Sequence, residues 1–328
     1  MPTSVKISIG IPTYNGAARI GKALDSILVQ LTPELATSIE VVISDNASSD
    51  DTASVIASYV ARFPCAIVYR KNDTNIGYDR NVNALFVHAV GQHVWLLADD
   101  DVLKPGAIHQ VLTTFSQHND LRIMQLNFQS YDSEMKQVVH EIKLSENLLC
   151  EDAETFLSNS AGRYGQVSTL IFERQAWNQA GVEQAYGTNY IHIYALLKVL
   201  LTGRSYIAKD PLVNVRTGSE NFGTSGDALI KIPLGGGKIF LQMRNMGYSK
   251  NISQKMLLEN RRYVFRIIPH AKKKGIAHSI KLTRNLLAVH NNLELWLLWI
   301  PIIFMPMMIY RHVYGFARYL ARSADGAP

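Results

Sequence analysis

The chain has 328 residues, 47% hydrophobic and 18% charged, enough for one large domain or a domain with an appendage. Two cysteines, Cys65 and Cys150, exclude a disulfide scaffold and a cysteine-rich zinc site, and residues 1–6 lack the basic start and apolar core of a signal peptide. The net charge of +6 is unevenly placed: residues 1–215 carry 16 Lys and Arg against 22 Asp and Glu, whereas residues 216–328 carry 17 against 5. Such a split suits different partners for the two parts. A basic helical surface without a partner is the competing reading.

Residues 5–11 read as a strand ending at the loop Pro12-Thr13-Tyr14-Asn15-Gly16. Ile20, Leu24, Ile27, Leu28 and Leu31 then recur at helical spacing. Residues 39–44 form a second strand, ending at Asp45-Asn46-Ala47-Ser48. Ser48 is placed to cap the next helix, with Asp50 and Asp51 in its first turn. Residues 66–70 are a short third strand, 79–90 a helix, and 94–98 a fourth strand running into Asp99-Asp100-Asp101. Strands alternating with helices imply a doubly wound, mostly parallel sheet, in which ligands bind beyond the carboxyl ends of the strands. Three polar clusters follow three strands that should be buried, so all three belong to one edge.

Three adjacent carboxylates repel one another, and a hard divalent cation relieves that repulsion while keeping a diphosphate in its shell. A solvated acidic turn is the competing reading. No G-x-G-x-x-G follows the first strand, so a dinucleotide fingerprint is missing. Gly235-Gly236-Gly237-Lys238 precedes Ile239 rather than Ser or Thr, which excludes a P-loop and reads as a flexible turn. Further along, 123–128 and 138–144 read as a strand and its hairpin partner, 151–158 as a helix, 165–173 as a strand and 190–201 as an apolar helix carrying His192. Helices dominate from about 227 onward.

Residues 9–15 (Ile-Gly-Ile-Pro-Thr-Tyr-Asn), 42–52, Asn75-Ile76-Gly77 with Arg80-Asn81, and 97–101 stand in the order and spacing of family 2 glycosyltransferases of the GT-A fold. The resemblance covers about residues 5–215 and is nearest to bacterial O-antigen, lipopolysaccharide and capsule transferases, including abequosyltransferase-like members. It implies inverting transfer of a sugar from a nucleotide-diphosphate donor to a hydroxyl, with Mg²⁺ or Mn²⁺ as cofactor. By the same resemblance Pro12, Tyr14 and Asn15 line the nucleoside pocket and Asp45 hydrogen-bonds the base. Arg80 lies near the phosphates or ribose, Asp99 and Asp101 bracket the metal and diphosphate, and Asp100 contacts the ribose or nothing. Relatives often carry an acidic base where this chain has Tyr190-Ile191-His192-Ile193-Tyr194. His192 is the first candidate base, since an ordinary imidazole titrates at about 6.5; a core histidine is the rival reading, and Glu173 and Glu220 are rival bases. Trp177 and Tyr190 are candidate acceptor contacts.

Residues 295–310 contain no charge, yet as a helix they reach roughly 24 Å against a bilayer core of about 30 Å, and Pro301 and Pro306 interrupt them. An interfacial or re-entrant segment fits better than a span, with Lys272-Lys273-Lys274, Lys281, Arg284, Arg311, Arg318 and Arg322 around it. A buried hairpin or a dimer interface competes. The expected organisation is therefore a GT-A domain over 1–215 (donor half about 1–101, acceptor half about 102–215), a basic helical extension over 216–290 and an amphipathic or re-entrant membrane-associating tail over 291–328. The expected partners are a nucleotide-sugar, a lipid-linked saccharide acceptor and an anionic membrane at the cytoplasmic face. Nucleic acid is not expected, and a homo-oligomer is left open. A non-catalytic nucleotide-sugar-binding or scaffold subunit of a membrane assembly is the alternative function.

Overall fold

The computed structural model describes residues 5–160, 162–217, 228–273, 275–289, 300–306 and 308–310. The chain divides into two compact units, Met1–Ser219 with Gln242–Ser253, and Glu220–Leu241 with Gln254–Pro328.

The first unit is built on a ten-stranded mixed sheet. Its strands are β1 (Ile7–Thr13), β2 (Ile39–Asp45), β3 (Ile67–Lys71), β4 (His93–Leu96), β5 (Val102–Leu103), β6 (Ile123–Tyr131), β7 (Val138–Glu141), β8 (Leu148–Cys150), β9 (Leu170–Glu173) and β10 (Ser205–Arg216). The order is β3-β2-β1-β4-β9-β6-β10-β5, with β7 on β6 and β8 on β10. β3, β2, β1 and β4 are mutually parallel, and β9 enters antiparallel between β4 and β6. The chain leaves β1 in one direction towards β3 and then returns to its other side at β4. That reversal is a topological switch point, and it opens a crevice at the carboxyl ends of β1 and β4.

The helices of this part are α1 (Ile20–Leu28), α2 (Pro33–Ala36), α3 (Thr52–Val60), α4 (Tyr78–His88) and α5 (Ala107–Gln117). Ile7, Ile9 and Ile11 alternate along β1 and pack with Leu24, Ile27, Ile56 and Val111 of α1, α3 and α5. The opposite face is covered by α4. Gly10 makes that approach possible: a Cβ there would sit 3.2 Å from Leu85 Cδ1. At the far edge, buried Glu40 accepts from Ser8 Oγ at 2.5 Å and Val90 N at 2.7 Å, tying the end of α4 to β1 and β2.

Residues 163–165 and 167–169 are 3-10 turns and only Leu170–Glu173 is strand, so the expected strand 165–173 is half its length. The helices that follow are α6 (Ala153–Asn159), α7 (Arg174–Gln179) and α8 (Ile191–Leu200). β10 was absent from the expected elements, because Lys209-Asp210-Pro211 interrupts its apolar pattern. The sheet absorbs the interruption as register shifts against β6 on both sides of Pro211. After α9 (Ala228–Leu241) and α10 (Met243–Met246), Tyr248 donates to Leu197 O at 2.7 Å and Ser249 to both Glu154 carboxylate oxygens.

The remaining helices are α11 (Lys250–Lys273), α12 (Ile276–Val289) and α13 (Ile300–Phe304). Gly235–Gly237, expected as a flexible turn, lies inside α9 and is buried. A Cβ on Gly236 would stand 3.1 Å from Asn260 Nδ2, so the glycines permit close helix packing. Lys272 donates to the carbonyls of Ile302, Ile303 and Met305 and sits 5.2 Å from the Tyr310 ring. It thereby satisfies the carbonyl end of α13, whose continuation Pro306 interrupts. Among the described residues no helix is long and apolar enough to cross a membrane.

Candidate active site

Three loops meet at the switch point. The first leaves β1 through Tyr14, Asn15 and Gly16; Asn15 adopts a left-handed conformation (φ 49°). Its N–H donates to Ser48 Oγ at 2.8 Å and its Oδ1 accepts from Ser49 N at 2.9 Å, clamping the loops after β1 and β2 together. Ser48 is therefore engaged by Asn15 rather than capping α3, where Asp50 instead accepts from Thr52 N at 3.1 Å. Asn46 joins the loop before α4 by accepting from Ile76 N at 2.8 Å and donating to Asn75 Oδ1 at 2.9 Å. Asn81 exchanges hydrogen bonds with Ser44 and accepts from Asn72. Many of the polar side chains in the conspicuous motifs thus hold one another and fix the loops.

Asp45 belongs to that scaffold. It is fully buried, accepting from Ser48 N and Tyr69 OH, each at 2.8 Å. Burial and the Asp45 carboxylate push the Tyr69 phenol up, so it remains a donor. Asp45, expected to hydrogen-bond a base, supports the loop through both of its carboxylate oxygens. Tyr14, 48% exposed, presents an open aromatic surface, while Pro12 and Asn15 are half-buried beside it in sequence.

The acidic triplet divides by environment. Asp99 is half-buried; it accepts from Thr13 Oγ1 at 2.6 Å and from Arg19 Nη2 at 3.1 Å and Nε at 3.3 Å. Arg19 Nη2 also reaches Tyr14 O at 3.4 Å, so one guanidinium joins the loop after β1 to the loop after β4. Asp101 is 4% exposed and accepts from Ser168 Oγ at 2.5 Å and Arg216 N at 2.9 Å. Burial, then the neighbouring Asp100 carboxylate, pushes Asp101 up to about 7. Asp101 was expected to bracket a metal with Asp99; its two oxygens accept from protein donors, as those of Asp99 do, and it differs from Asp99 in being sealed from solvent. Asp100 is half-buried like Asp99. Among the described residues no three His, Cys, Asp or Glu side chains form a cage. A hard cation is commonly held by one or two carboxylates with substrate phosphates supplying the rest, and Asp99 with Asp100 fits that donor set.

The remaining candidates fall elsewhere. His192 is 4% exposed on α8, its ring 5.5 Å from that of half-buried Tyr190, and neither imidazole nitrogen closes a hydrogen bond of ordinary geometry. Burial pushes it down to about 4, against a smaller opposing effect of the Gly165 carbonyl. It is a neutral core residue, not an exposed base. Glu173 pairs in register with His93 at the opposite edge of the sheet and is ion-paired with Arg122. Trp177 is fully buried, stacked 3.7 Å from Phe86, and donates to Asn83 Oδ1; it is core, not an acceptor platform. Glu220 lies outside the described residues. Arg80 stacks 4.3 Å over the Tyr186 ring beside a cleft of about 320 Å³ lined by residues 76–80, 186, 187 and 189. The reading of the residues missed Thr13, Arg19, Ser168 and Arg216. Of these Thr13, inside the Pro12-Thr13-Tyr14-Asn15 motif, and Arg19, a cation shortly after it, carried a visible signal.

His192 carries a testable consequence. An unfolded histidine takes its proton at about 6.5, above the folded value of about 4, so the unfolded chain protonates first. Stability is full above about pH 6.5 and falls towards pH 4, by roughly 3 kcal/mol over the window. His192→Leu is expected to flatten the loss of melting temperature between pH 7 and pH 5. Loss of turnover in that variant with stability retained at pH 7 would instead restore His192 as the base.

The family described as glycosyl transferase family 2 matches residues 8–164. The chain is 31% identical over 272 residues to the abequosyltransferase RfbV of Salmonella typhimurium, covering 77% of this chain and 79% of that protein. It is 32% identical over 107 residues, 33% of each chain, to the GalNAc(5)-diNAcBac-PP-undecaprenol beta-1,3-glucosyltransferase of Campylobacter jejuni. Its fold resembles S. aureus TarS 1-349 in complex with UDP-GlcNAc (TM-score 0.68, 18% identity, 91% and 86% of the two chains). It also resembles the mannosyltransferase PcManGT of Pyrobaculum calidifontis in complex with GDP-Man and Mn²⁺ (TM-score 0.57, 17% identity, 98% and 87%). The fold is that of a GT-A glycosyltransferase. More narrowly, the chain belongs to glycosyl transferase family 2 and is a transferase of sugars.

Proposed function

We propose that the chain moves a sugar, with inversion, from a nucleotide-diphosphate donor to a hydroxyl of a polyprenyl-diphosphate-linked glycan in cell-surface polysaccharide synthesis. The observation that carries this reading is the convergence of exposed Tyr14, Arg19 and the half-buried Asp99 and Asp100 at the switch point between β1 and β4. Tyr14 offers a face on which a base stacks. The diphosphate lies where Arg19 and the start of α1 supply positive charge. Asp99 and Asp100 would hold Mg²⁺ or Mn²⁺, which would supply positive charge against that growing on the leaving diphosphate. Asp101 holds the triplet in place through Ser168 and Arg216. Inversion needs a single displacement, with one base taking the acceptor proton on the opposite face of the sugar.

The test is a panel of UDP-, CDP-, GDP- and dTDP-sugars, with and without Mn²⁺, scored for release of nucleoside diphosphate in the presence of lipid-linked acceptors. One donor is expected to turn over, only with the metal. Silence across the panel would favour a binding subunit.

A lipid-linked acceptor places the enzyme at the cytoplasmic face of the plasma membrane. In the second unit Ile276 (72% exposed), Phe304, Ile309 and Met308 (76%) leave apolar surface uncovered, and Lys281 and Arg284 are exposed nearby in sequence. Each basic residue near an anionic leaflet contributes about 1 kcal/mol. The full chain is expected to sediment with vesicles containing anionic lipid, less so at high salt, and deletion of 291–328 should release it. Equal recovery of the truncated protein counts against this role.

A further inference from the structure

Arg19 is the only cation hydrogen-bonded to Asp99 among the described residues, and it takes both carboxylate oxygens. It also stands at the N-cap of α1, where a guanidinium, having only donors, cannot cap the free N–H groups of the helix. The pair is semi-buried, each side chain 13% exposed. A divalent cation at Asp99 would confront the guanidinium with a second positive charge on the same carboxylate. A diphosphate entering with that cation offers the guanidinium a new anionic partner of matching fork geometry.

We propose that Arg19 is the resident counter-ion of Asp99 in the empty enzyme and passes to the donor's diphosphate when cation and donor bind. The proposal rests on the donor-site reading above. Arg19 then acts in opposite senses on the two ligands. Alone, the cation must displace it, so Arg19 weakens metal binding. With the nucleotide present, Arg19 holds phosphate, so it strengthens nucleotide binding. Premature capture of a cation without substrate is thereby disfavoured, and binding of the two is coupled. A residue that merely staples two loops would have one sign only: its loss would weaken both ligands together.

The experiment compares wild type with Arg19→Gln and Arg19→Lys. Binding of Mn²⁺ alone is followed by electron paramagnetic resonance. Binding of UDP, CDP, GDP and dTDP at saturating Mn²⁺ is followed by calorimetry. In Arg19→Gln the Mn²⁺ dissociation constant is expected to fall about two- to fivefold, the size of a partly exposed ion pair. The dissociation constant of the nucleoside diphosphate that wild type binds is expected to rise about tenfold or more, the size of a charge-assisted hydrogen bond. Circular dichroism and melting temperature establish that the variant is folded. Should it not fold, Arg19→Lys replaces it with the same two signs at smaller size. If wild type binds one nucleotide while the variant weakens both ligands, or moves neither, the donor site stands and this role of Arg19 is overturned. If wild type binds none of the four, the donor-site reading falls and the proposal falls with it.

Discussion

Asp100→Ala and Asp101→Ala are expected to fail in different ways. Asp101 is sealed, and truncating it strands the Ser168 hydroxyl and the Arg216 N–H. Each stranded buried donor costs about 1–3 kcal/mol, offset in part by removal of a carboxylate that burial already disfavours. The net expectation is a loss of about 2 kcal/mol in unfolding free energy, several degrees in melting temperature for a unit of this size. Activity falls with it, because the triplet loses its anchor. Asp101→Asn, which keeps the shape and accepts from Arg216 N, should recover most of the stability. Asp100→Ala should lower the melting temperature less than Asp101→Ala does, because Asp100 is not sealed, and should lower kcat by about a thousandfold through loss of cation binding, a size typical of removing transition-state charge stabilisation. Thermal melts and metal-dependent turnover on the same preparations decide the matter. A stable but dead Asp101→Ala would return Asp101 to the metal.

The triplet also marks where reading the residues stops. The convergence of three polar clusters was legible because a parallel sheet brings all its strand ends to one edge. The strands themselves were legible as apolar runs with abrupt polar ends, as at Ile7–Thr13 and Ile39–Asp45. Which carboxylate of the three is sealed was not legible. That depends on Ser168, 67 residues away, and on Arg216, 115 residues away. Arg216 ends β10, a strand hidden by Lys209-Asp210-Pro211. His192 is different, because the sequence did contain the warning. Ile191–Leu200 is apolar on nearly every side, and a helix apolar all round is a buried one. A histidine within it titrates as a core residue. Trp177 gave no such warning, since an aromatic after a strand suits a sugar platform and a core equally. Its partners, Phe86 and Asn83 on α4, decide it.

The site is consequently supported more by mutual clamping of loops than by regular structure. Asn15, Asn46 and Asn75 join loops that follow different strands or precede α4, and Asn81 ties α4 to β2. Hydrogen bonds of this kind contribute about 1 kcal/mol apiece, so single losses should loosen rather than unfold the crevice. A change that displaces two loops at once should be far more damaging, and one glycine occupies that position.

Gly16→Ala is expected to cost the most activity for the fewest atoms. A Cβ on Gly16 would lie 2.2 Å from Thr13 Oγ1 and 2.5 Å from Asp99 Oδ2. Neither neighbour can give way freely, since Thr13 donates to Asp99, and Asp99 is fixed by Arg19. Gly16 cannot retreat either. Its N–H donates to Thr52 Oγ1 at 2.8 Å, and its carbonyl accepts from Arg19 N and Ile20 N at the start of α1. The methyl group therefore breaks the Thr13–Asp99 bond or tilts the loop after β1, and either outcome moves Tyr14 and Arg19 away from Asp99. Overpacking of this kind costs about 1–3 kcal/mol, within what a unit of this size can tolerate. The protein should fold with a reduced melting temperature, while kcat/KM falls about a hundredfold, the cost of displacing binding groups by about an ångström. Thr13→Ala removes the obstructing hydroxyl, so the pair Gly16→Ala with Thr13→Ala should recover part of the stability but little of the activity. If Gly16→Ala alone turns over at the wild-type rate, the crevice between β1 and β4 is not where the donor sits.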